Sequence, residues 1–272
     1  MTGDKGSGQS KGIVSFNPVP DVHCFSDSVA YVSPEKSEPV RSNKSLCNPP
    51  PSFGLFYANI TSLSPQTKNY IANFSPSIKA LALVEVHKEE ETVNSFLRSS
   101  WFTGKYNPPK PTGNGGTHGG ELMAFRSNIH AYDIDCDIID HIEKYYNAPL
   151  CFAARVMCLH TISICFISVY FWCSEGFSER NHVILHQIGM LSKLINLPFL
   201  CVGDFNIQFK EFTESEWGDR LQVEFFAPDI STTINSACGH VIDYGFYSKS
   251  IRPLFIGCRP ICSVPFPHTL DY

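Results

Sequence analysis

Residues 199–202, Phe-Leu-Cys-Val, form an apolar run that begins behind Pro198 and stops at Gly203, with Asp204 and Asn206 following at once. A run this short, bounded by Pro and Gly, predicts a strand buried on both faces. Alternation along a strand places the side chains of Asp204 and Asn206 on the same side of the chain, where it leaves the core. A carboxylate and a carboxamide fixed there can hold a water or a metal and hydrogen-bond a phosphate. The same residues also read as an Asp-x-Asn turn that closes the strand.

The rest of the chain supplies more strands with helices between them. Residues 1–52 are rich in Ser, Pro, Gly and Lys, show weak periodicity and end in Pro-Pro-Pro, so they read as a flexible leader. A domain over 53–272 opens with a strand at 53–60 and a short helix at 67–74 that sets Tyr70, Ile71 and Phe74 on one face. An apolar strand at 78–86 carries Glu85 near its end, a helix follows at 90–98, and further strands are expected at 101–106 and 121–125 across a Pro/Gly loop. The clearest helix spans 178–196: Ser178 can cap it, and Ile184, Ile188, Leu191 and Ile195 recur at helical spacing. From Glu211 onward short apolar runs alternate with Gly, Pro and Asn and predict more strands and loops. Such an order argues for a two-layered sheet core covered by helices.

Composition narrows the classes. At 272 residues the chain can bury one large α/β core. Hydrophobic residues at 43% are too many for general disorder, and a net charge of −5 gives no global basic signature for nucleic acid. A nucleic-acid partner would therefore need a local patch or a bridging metal. Eleven cysteines are scattered without a Cys-x-x-Cys pair, several in apolar runs (Cys151, Cys158, Cys165, Cys201), which suits reduced, buried thiols in a cytosolic or nuclear protein. Residues 156–173 carry no formal charge and mimic a membrane span, but their β-branched content favours two buried strands joined by a turn.

Polar residues recur at the ends of the apolar runs: Asn59, Glu85, Tyr170, Asp204, Asn206, Asp243 and His268. Each alone has an ordinary explanation as a turn, rim or loop residue. His87 and His118 read as solvated loop positions, and His141 with Glu143 lies among acidic residues without a third ligand for zinc.

Taken in order, the pieces Ala-Asn-Ile-Thr (58–61), Leu-Val-Glu-Val-His (83–87), Gly-Gly-Glu-Leu-Met-Ala (119–124), Ser-Val-Tyr (168–170), Gly-Asp-Phe-Asn (203–206), Val-Ile-Asp-Tyr (241–244) and Pro-His (267–268) resemble the endonuclease/exonuclease/phosphatase superfamily, which includes exonuclease III-like and DNase I-like enzymes. The flavour is closest to the endonuclease domains of LINE-type retroelements. The resemblance implies a DNase I-like α/β (α+β) fold, a four-layered sandwich of two packed, mostly antiparallel sheets flanked by helices. It also implies Mg²⁺, or Mn²⁺, as cofactor and DNA as substrate, with no membrane partner. It fits a monomer or one part of a larger polyprotein, in an intracellular and plausibly nuclear setting.

By the same resemblance, Glu85 is the main metal-binding carboxylate, helped by Asn59, and Asp204 orients or deprotonates the attacking water. Asn206 hydrogen-bonds a phosphate oxygen, Tyr170 donates to the phosphate or the leaving oxygen, and His268, held by Asp243, stabilises the crowded phosphorus oxygens. Two departures stand out. Pro267 occupies the place where the family has Asp before its last His, and Phe171, Trp172 and Cys173 follow Tyr170 where the family often has a phosphate-contacting Asn. The sequence also ends four residues after His268, which leaves the strand expected there clipped. A catalytically degenerate relative and a phosphatase for a small phosphate ester are the alternatives.

Overall fold

The computed structural model describes residues 11–16 (as backbone), 53–111, 117–159, 162–229, 232 and 240–260. In chain order the elements are β1 (Lys11–Phe16), β2 (Phe53–Asn59), α1 (Pro65–Ala72), β3 (Ile78–Val84), α2 (Glu90–Ser99) and β4 (Phe102–Asn107). The two-residue strands β5 (Lys110–Pro111) and β6 (Thr117–His118) precede β7 (Glu121–Arg126), β8 (Ala131–Asp133), α3 (Cys136–Tyr146), β9 (Phe152–Leu159) and β10 (Ile162–Tyr170). Then come α4 (Glu179–Ile195), β11 (Phe199–Asp204), α5 (Phe209–Thr213), α6 (Trp217–Leu221), β12 (Val223–Phe226) and β13 (Asp243–Ser248). A 3₁₀ turn (Lys249–Leu254) leads into β14 (Phe255–Pro260).

Local chemistry explains several boundaries. Ser64 caps α1 by accepting from the Thr67 amide, and Pro65 fills the first helical position, where no amide donor is needed. Ser178 caps α4 as expected, accepting from the Asn181 amide, and Asn196 closes that helix in the left-handed region at φ 49°. No helix was expected over residues 136–146, although Ile138, Ile139, Ile142 and Tyr146 recur there at helical spacing. The helix forms because Asp135 caps it and Ile138, Ile139 and Ile142 reach the core behind α4.

Two six-stranded sheets are built on the same plan. One runs β14-β1-β2-β3-β7-β4 and the other β12-β13-β11-β10-β9-β8. Each is antiparallel except for one central parallel pair, β2 with β3 and β10 with β11. Three apolar layers give the sandwich its order. Phe56, Leu81, Leu83 and Phe102 pack under α1 and α2, whereas Cys165, Ile167, Cys201 and Phe246 pack under α3 to α6. Between the sheets, Leu55, Ala82, Phe125, Phe166, Leu200 and Val202 form a third core. Strands covered on both faces read as continuous apolar runs, which is why β3, β10 and β11 stood out in the sequence. The fold is the four-layered α/β sandwich expected.

Residues 156–173 are, as predicted, strands rather than a span: β9 and β10 pair antiparallel, with Ile162 opposite Leu159. Among the described residues no helix is long and apolar enough to cross a membrane. Cys151, Cys165 and Cys201 are buried thiols, and burial pushes Cys151 up to about 11.

The N-terminal reading needs correction. Residues 11–16 were expected in a flexible leader, with the domain starting at residue 53. They form β1, paired with β2 on one side and β14 on the other. A ladder hydrogen-bonded on both sides holds a strand that lacks a long apolar run, so periodicity alone does not find it. The strand β14 closes this sheet, and residues 261–272, including Pro267 and His268, lie outside the described residues.

Candidate active site

The strand ends that carry polar residues meet at one end of the sandwich. Asn59 ends β2, Glu85 follows β3, Tyr170 ends β10, Asp204 ends β11 and Asp243 begins the antiparallel β13. In register, Tyr170 lies beside Asp204, which lies opposite Asp243. Asn59, Asp204 and Asp243 are at most 2% exposed.

Three hydrogen bonds tie the two sheets together here. Tyr57 Oη donates to Asp243 Oδ1 at 2.7 Å, Asn59 Nδ2 donates to Asp204 Oδ2 at 3.0 Å, and Tyr170 Oη donates to Glu85 Oε1 at 2.5 Å. Bonds to carboxylates are the strong kind, and in a buried site they fix each carboxyl group in place. Tyr57 was not singled out from sequence. It lies two residues before Asn59 and so shares its face of β2, and that alternation is the signal that finds it.

The Gly-Asp-Phe-Asn segment forms the turn that is one of its two readings. Asp204 Oδ1 accepts from the Asn206 amide at 3.0 Å, an Asx turn, while Oδ2 points to Asn59. Phe205 anchors the turn, stacked on Tyr244 at 4.4 Å and edge-on to Phe171 at 5.1 Å. The alternation invoked for Asp204 and Asn206 does not reach Asn206, because the strand ends at Asp204 and Asn206 turns to φ 49°. One amide hydrogen of Asn206 Nδ2 is given to the Phe171 carbonyl at 2.9 Å, which joins the ends of β10 and β11.

Gly203 is required by close approach rather than by an unusual φ. A Cβ there would stand 2.3 Å from the Val169 carbonyl oxygen of the neighbouring strand. Glu85 itself has φ 55°, a region that a residue with a long side chain occupies only under constraint. Thr232 prepares Asp243: its Oγ1 accepts from the amides of Ile242 at 2.8 Å and Asp243 at 3.2 Å.

The electrostatics follow from crowding. Burial, then the charges of Asp243 and Glu85, raise the Asp204 carboxyl well above the usual carboxylate range, and the bonds from Asn59 and the Asn206 amide only partly offset this. Burial and the same carboxylates raise Tyr57, and burial and Glu85 raise Tyr170, so both phenols stay protonated donors at neutral pH. Three carboxyl groups sense one another through a site of oxygen donors. That donor set fits a hard divalent cation, which would relieve the repulsion. Glu85 with Asn59, and Asp204 across from them, are the side chains that could hold it.

Two histidines behave differently from expectation. His118 is not a solvated loop residue: it is buried, its ring lies parallel to Trp172 at 3.5 Å and 4.9 Å from the Tyr170 ring. Burial pushes it down to about 4, so it stacks as a neutral ring. His87 is half-buried at φ 45°, with Nδ1 2.7 Å from Thr117 Oγ1. Glu143 Oε1 accepts from the Leu150 amide at 2.8 Å, an ordinary structural role.

No protein-family model matches the chain, and no curated protein matches its sequence. Solved structures do match. The endonuclease domain of TRAS1, a telomere-specific non-LTR retrotransposon, superposes with a TM-score of 0.50 at 10% identity, over 73% of this chain and 85% of that one. The AP endonuclease LMAP from Leishmania major gives 0.49 at 13% identity, over 71% of this chain and 78% of that one. The human Nocturnin catalytic domain gives 0.45 at 17%, over 70% and 80%. At such identities what is shared is the fold. With its paired six-stranded sheets and flanking helices, the chain shares its fold with the TRAS1 endonuclease domain.

Proposed function

We propose that the chain is a Mg²⁺-dependent phosphodiester hydrolase acting on DNA, of the nicking type found in retroelements. The observation that carries this reading is the meeting of Asn59, Glu85, Asp204 and Asp243 at adjoining strand ends, tied by the three cross-sheet hydrogen bonds. Hydrolysis of a phosphodiester needs a positioned base, donors for the developing negative charge and a cation, and these residue types supply or hold all three. The retroelement assignment rests on the sequence resemblance.

Mg²⁺, or Mn²⁺, would sit on Glu85 and Asn59 and supply Lewis-acid neutralisation of the phosphate. Asp204 orients the attacking water and takes its proton. Its environment raises its basicity, and Asn59 and the Asn206 amide hold its two oxygens in one orientation. Tyr170 keeps its proton and donates it to a phosphate or leaving-group oxygen, sharing or leaving Glu85 Oε1. Asn206 offers its second amide hydrogen to the phosphate; by the sequence resemblance His268, which lies outside the described residues, would steady the crowded oxygens around phosphorus with Asp243 as its partner.

The test is supercoiled plasmid with Mg²⁺ or EDTA, using the wild type, Glu85→Ala, Asp204→Ala and His268→Ala. Metal-dependent nicking that falls by at least about a hundredfold in the first two variants is expected, in line with the loss of a general base and a cation ligand. A wild type inert on plasmid, abasic duplex and single strands overturns the nuclease reading. Turnover of small phosphate monoesters in its place would move the assignment to a phosphatase.

A further inference from the structure

We infer that the pocket beside the carboxylate cluster, walled by Trp172 and rimmed by Lys110 and Arg180, seats the nucleobase adjoining the phosphate that is cut. This deepens the phosphodiester hydrolase reading and rests on it.

The pocket has a volume of about 310 Å³, and Ile184 and Gln187 of α4 line it together with Trp172, Arg180 and Lys110. That is the small end of ligand pockets, and suits one planar heterocycle rather than a long acyl chain. It opens next to the chemistry. Tyr170, whose hydroxyl reaches Glu85, lies 4.9 Å from the His118 ring; His118 is stacked on Trp172, and the Arg180 guanidinium lies 4.8 Å over the Trp172 ring. Tyr170, His118 and Trp172 therefore touch in series between the cluster and the pocket, with the Arg180 guanidinium as the outermost planar group, the face on which a base in the pocket would stack.

The track is built, not incidental. Asn181, fully buried in the first turn of α4, accepts from the Trp172 amide at 2.8 Å and donates to the Trp172 carbonyl at 3.2 Å, so the indole is held at one height. Glu175 pairs with Arg180 at 3.3 Å and keeps the guanidinium at the rim. Lys110 and Arg180 stand at the pocket together with Glu179, so the rim is mixed in charge and offers hydrogen-bond donors and an acceptor rather than a basic patch.

One buried polar atom of the lining lacks a partner. Gln187 is fully buried and gives Nε2 to the Ala148 carbonyl at 3.0 Å, which leaves Oε1 without a hydrogen-bond partner. The carbonyl on Nε2 fixes the amide orientation, so the spare atom is an acceptor and suits a ring N–H or an exocyclic amine. An acyl chain would leave that acceptor unsatisfied.

The experiment compares two ligands that share a phosphate and differ by the base: 2′-deoxyadenosine 5′-monophosphate and 2-deoxyribose 5-phosphate. Affinities are measured by titration calorimetry in EDTA, so that no turnover is required. The nucleotide is expected to bind at least about tenfold more tightly than the sugar phosphate, an increment typical of one stacked base. In Arg180→Ala, an exposed position that leaves the fold intact, and in Trp172→Leu, checked for a native melting transition, the ratio falls to within about twofold. Glu85→Gln leaves the ratio intact. A ratio near one in the wild type, no measurable binding of the nucleotide, or a ratio unchanged in both pocket variants overturns the inference. If the tenfold ratio holds but no phosphodiester is cut, the pocket stands and the hydrolase reading falls. If plasmid is nicked and the ratio is one, only the pocket is refuted.

Discussion

Glu121 carries the most exacting prediction. Its carboxyl is 1% exposed at the start of β7, where Oε2 accepts from Asn107 Nδ2 at 3.0 Å. Burial pushes it up from 4.5 to about 8, against the pull of Lys110 and of hydrogen bonds from Asn107 and nearby backbone. The folded protein therefore keeps this proton where the unfolded chain has lost it. Stability is full below about pH 4.5, declines as pH rises towards 8, and levels off above. Each pH unit in that window costs about 1.4 kcal/mol, so the whole decline is bounded near 5 kcal/mol, and relaxation of the site brings the expected value to roughly 2–5 kcal/mol. Glu121→Gln retains an acceptor for Asn107 and removes the ionisation. Urea unfolding of both proteins at pH 5, 6, 7 and 8.5 isolates the effect, because all other titrating groups cancel in the difference. The variant should match the wild type near pH 5 and exceed it by roughly 2–5 kcal/mol at pH 8.5. Parallel stability curves across that range would show that Glu121 ionises normally and would refute the argument.

Other outcomes follow from the same geometry. Gly203→Ala drives a methyl to 2.3 Å from the Val169 carbonyl, so β10 and β11 must separate; a loss of about 3 kcal/mol or more in chemical denaturation is expected, with nicking lost as well. Tyr57→Phe removes a donor from the buried Asp243 and should cost roughly 1–3 kcal/mol by the same assay, together with slower turnover. Asp204→Asn removes the base and sets an amide donor against Asn59 Nδ2 or the Asn206 amide, so it should abolish nicking and lower stability in EDTA by roughly 1–3 kcal/mol in urea unfolding. Titrating Mg²⁺ should raise the wild-type melting temperature more than that of Glu85→Gln, and equal shifts would count against Glu85 as the cation's main ligand.

Much of the molecule was readable in its amino acids. Strands covered on both faces advertise themselves as unbroken apolar runs, so β3, β10 and β11 were placed within a residue or two, and a Ser cap with helical spacing gave α4. Polar residues just past those runs identified Asn59, Glu85, Tyr170, Asp204 and Asp243, because a strand end is where a side chain can leave the core without leaving the scaffold. What escaped depends on partners distant in sequence. Residues 11–16 owe their strand to β2 and β14, and Tyr57 owes its role to Asp243, 186 residues away. His118 stands in a Gly-rich stretch that reads as solvated, yet Trp172 covers it. Asn206 left the expected face because the Asx turn at Asp204 ends the alternation one residue too early.

The placement of β1 sets the order in which the molecule can be completed. Residues 11–16 lie between a strand that follows at residue 53 and one that ends at residue 260, so during synthesis one side of β1 faces water until residue 260 has emerged. Contacts of such long sequence separation close slowly, and a bare strand edge is a template for wrong partners in the meantime. The assembly of the sandwich is therefore gated by β14. Truncations that stop short of Phe255 should yield a chain that carries every described carboxylate of the cluster and still aggregates, because the sheet that holds Asn59 in place is left unsealed at its rim.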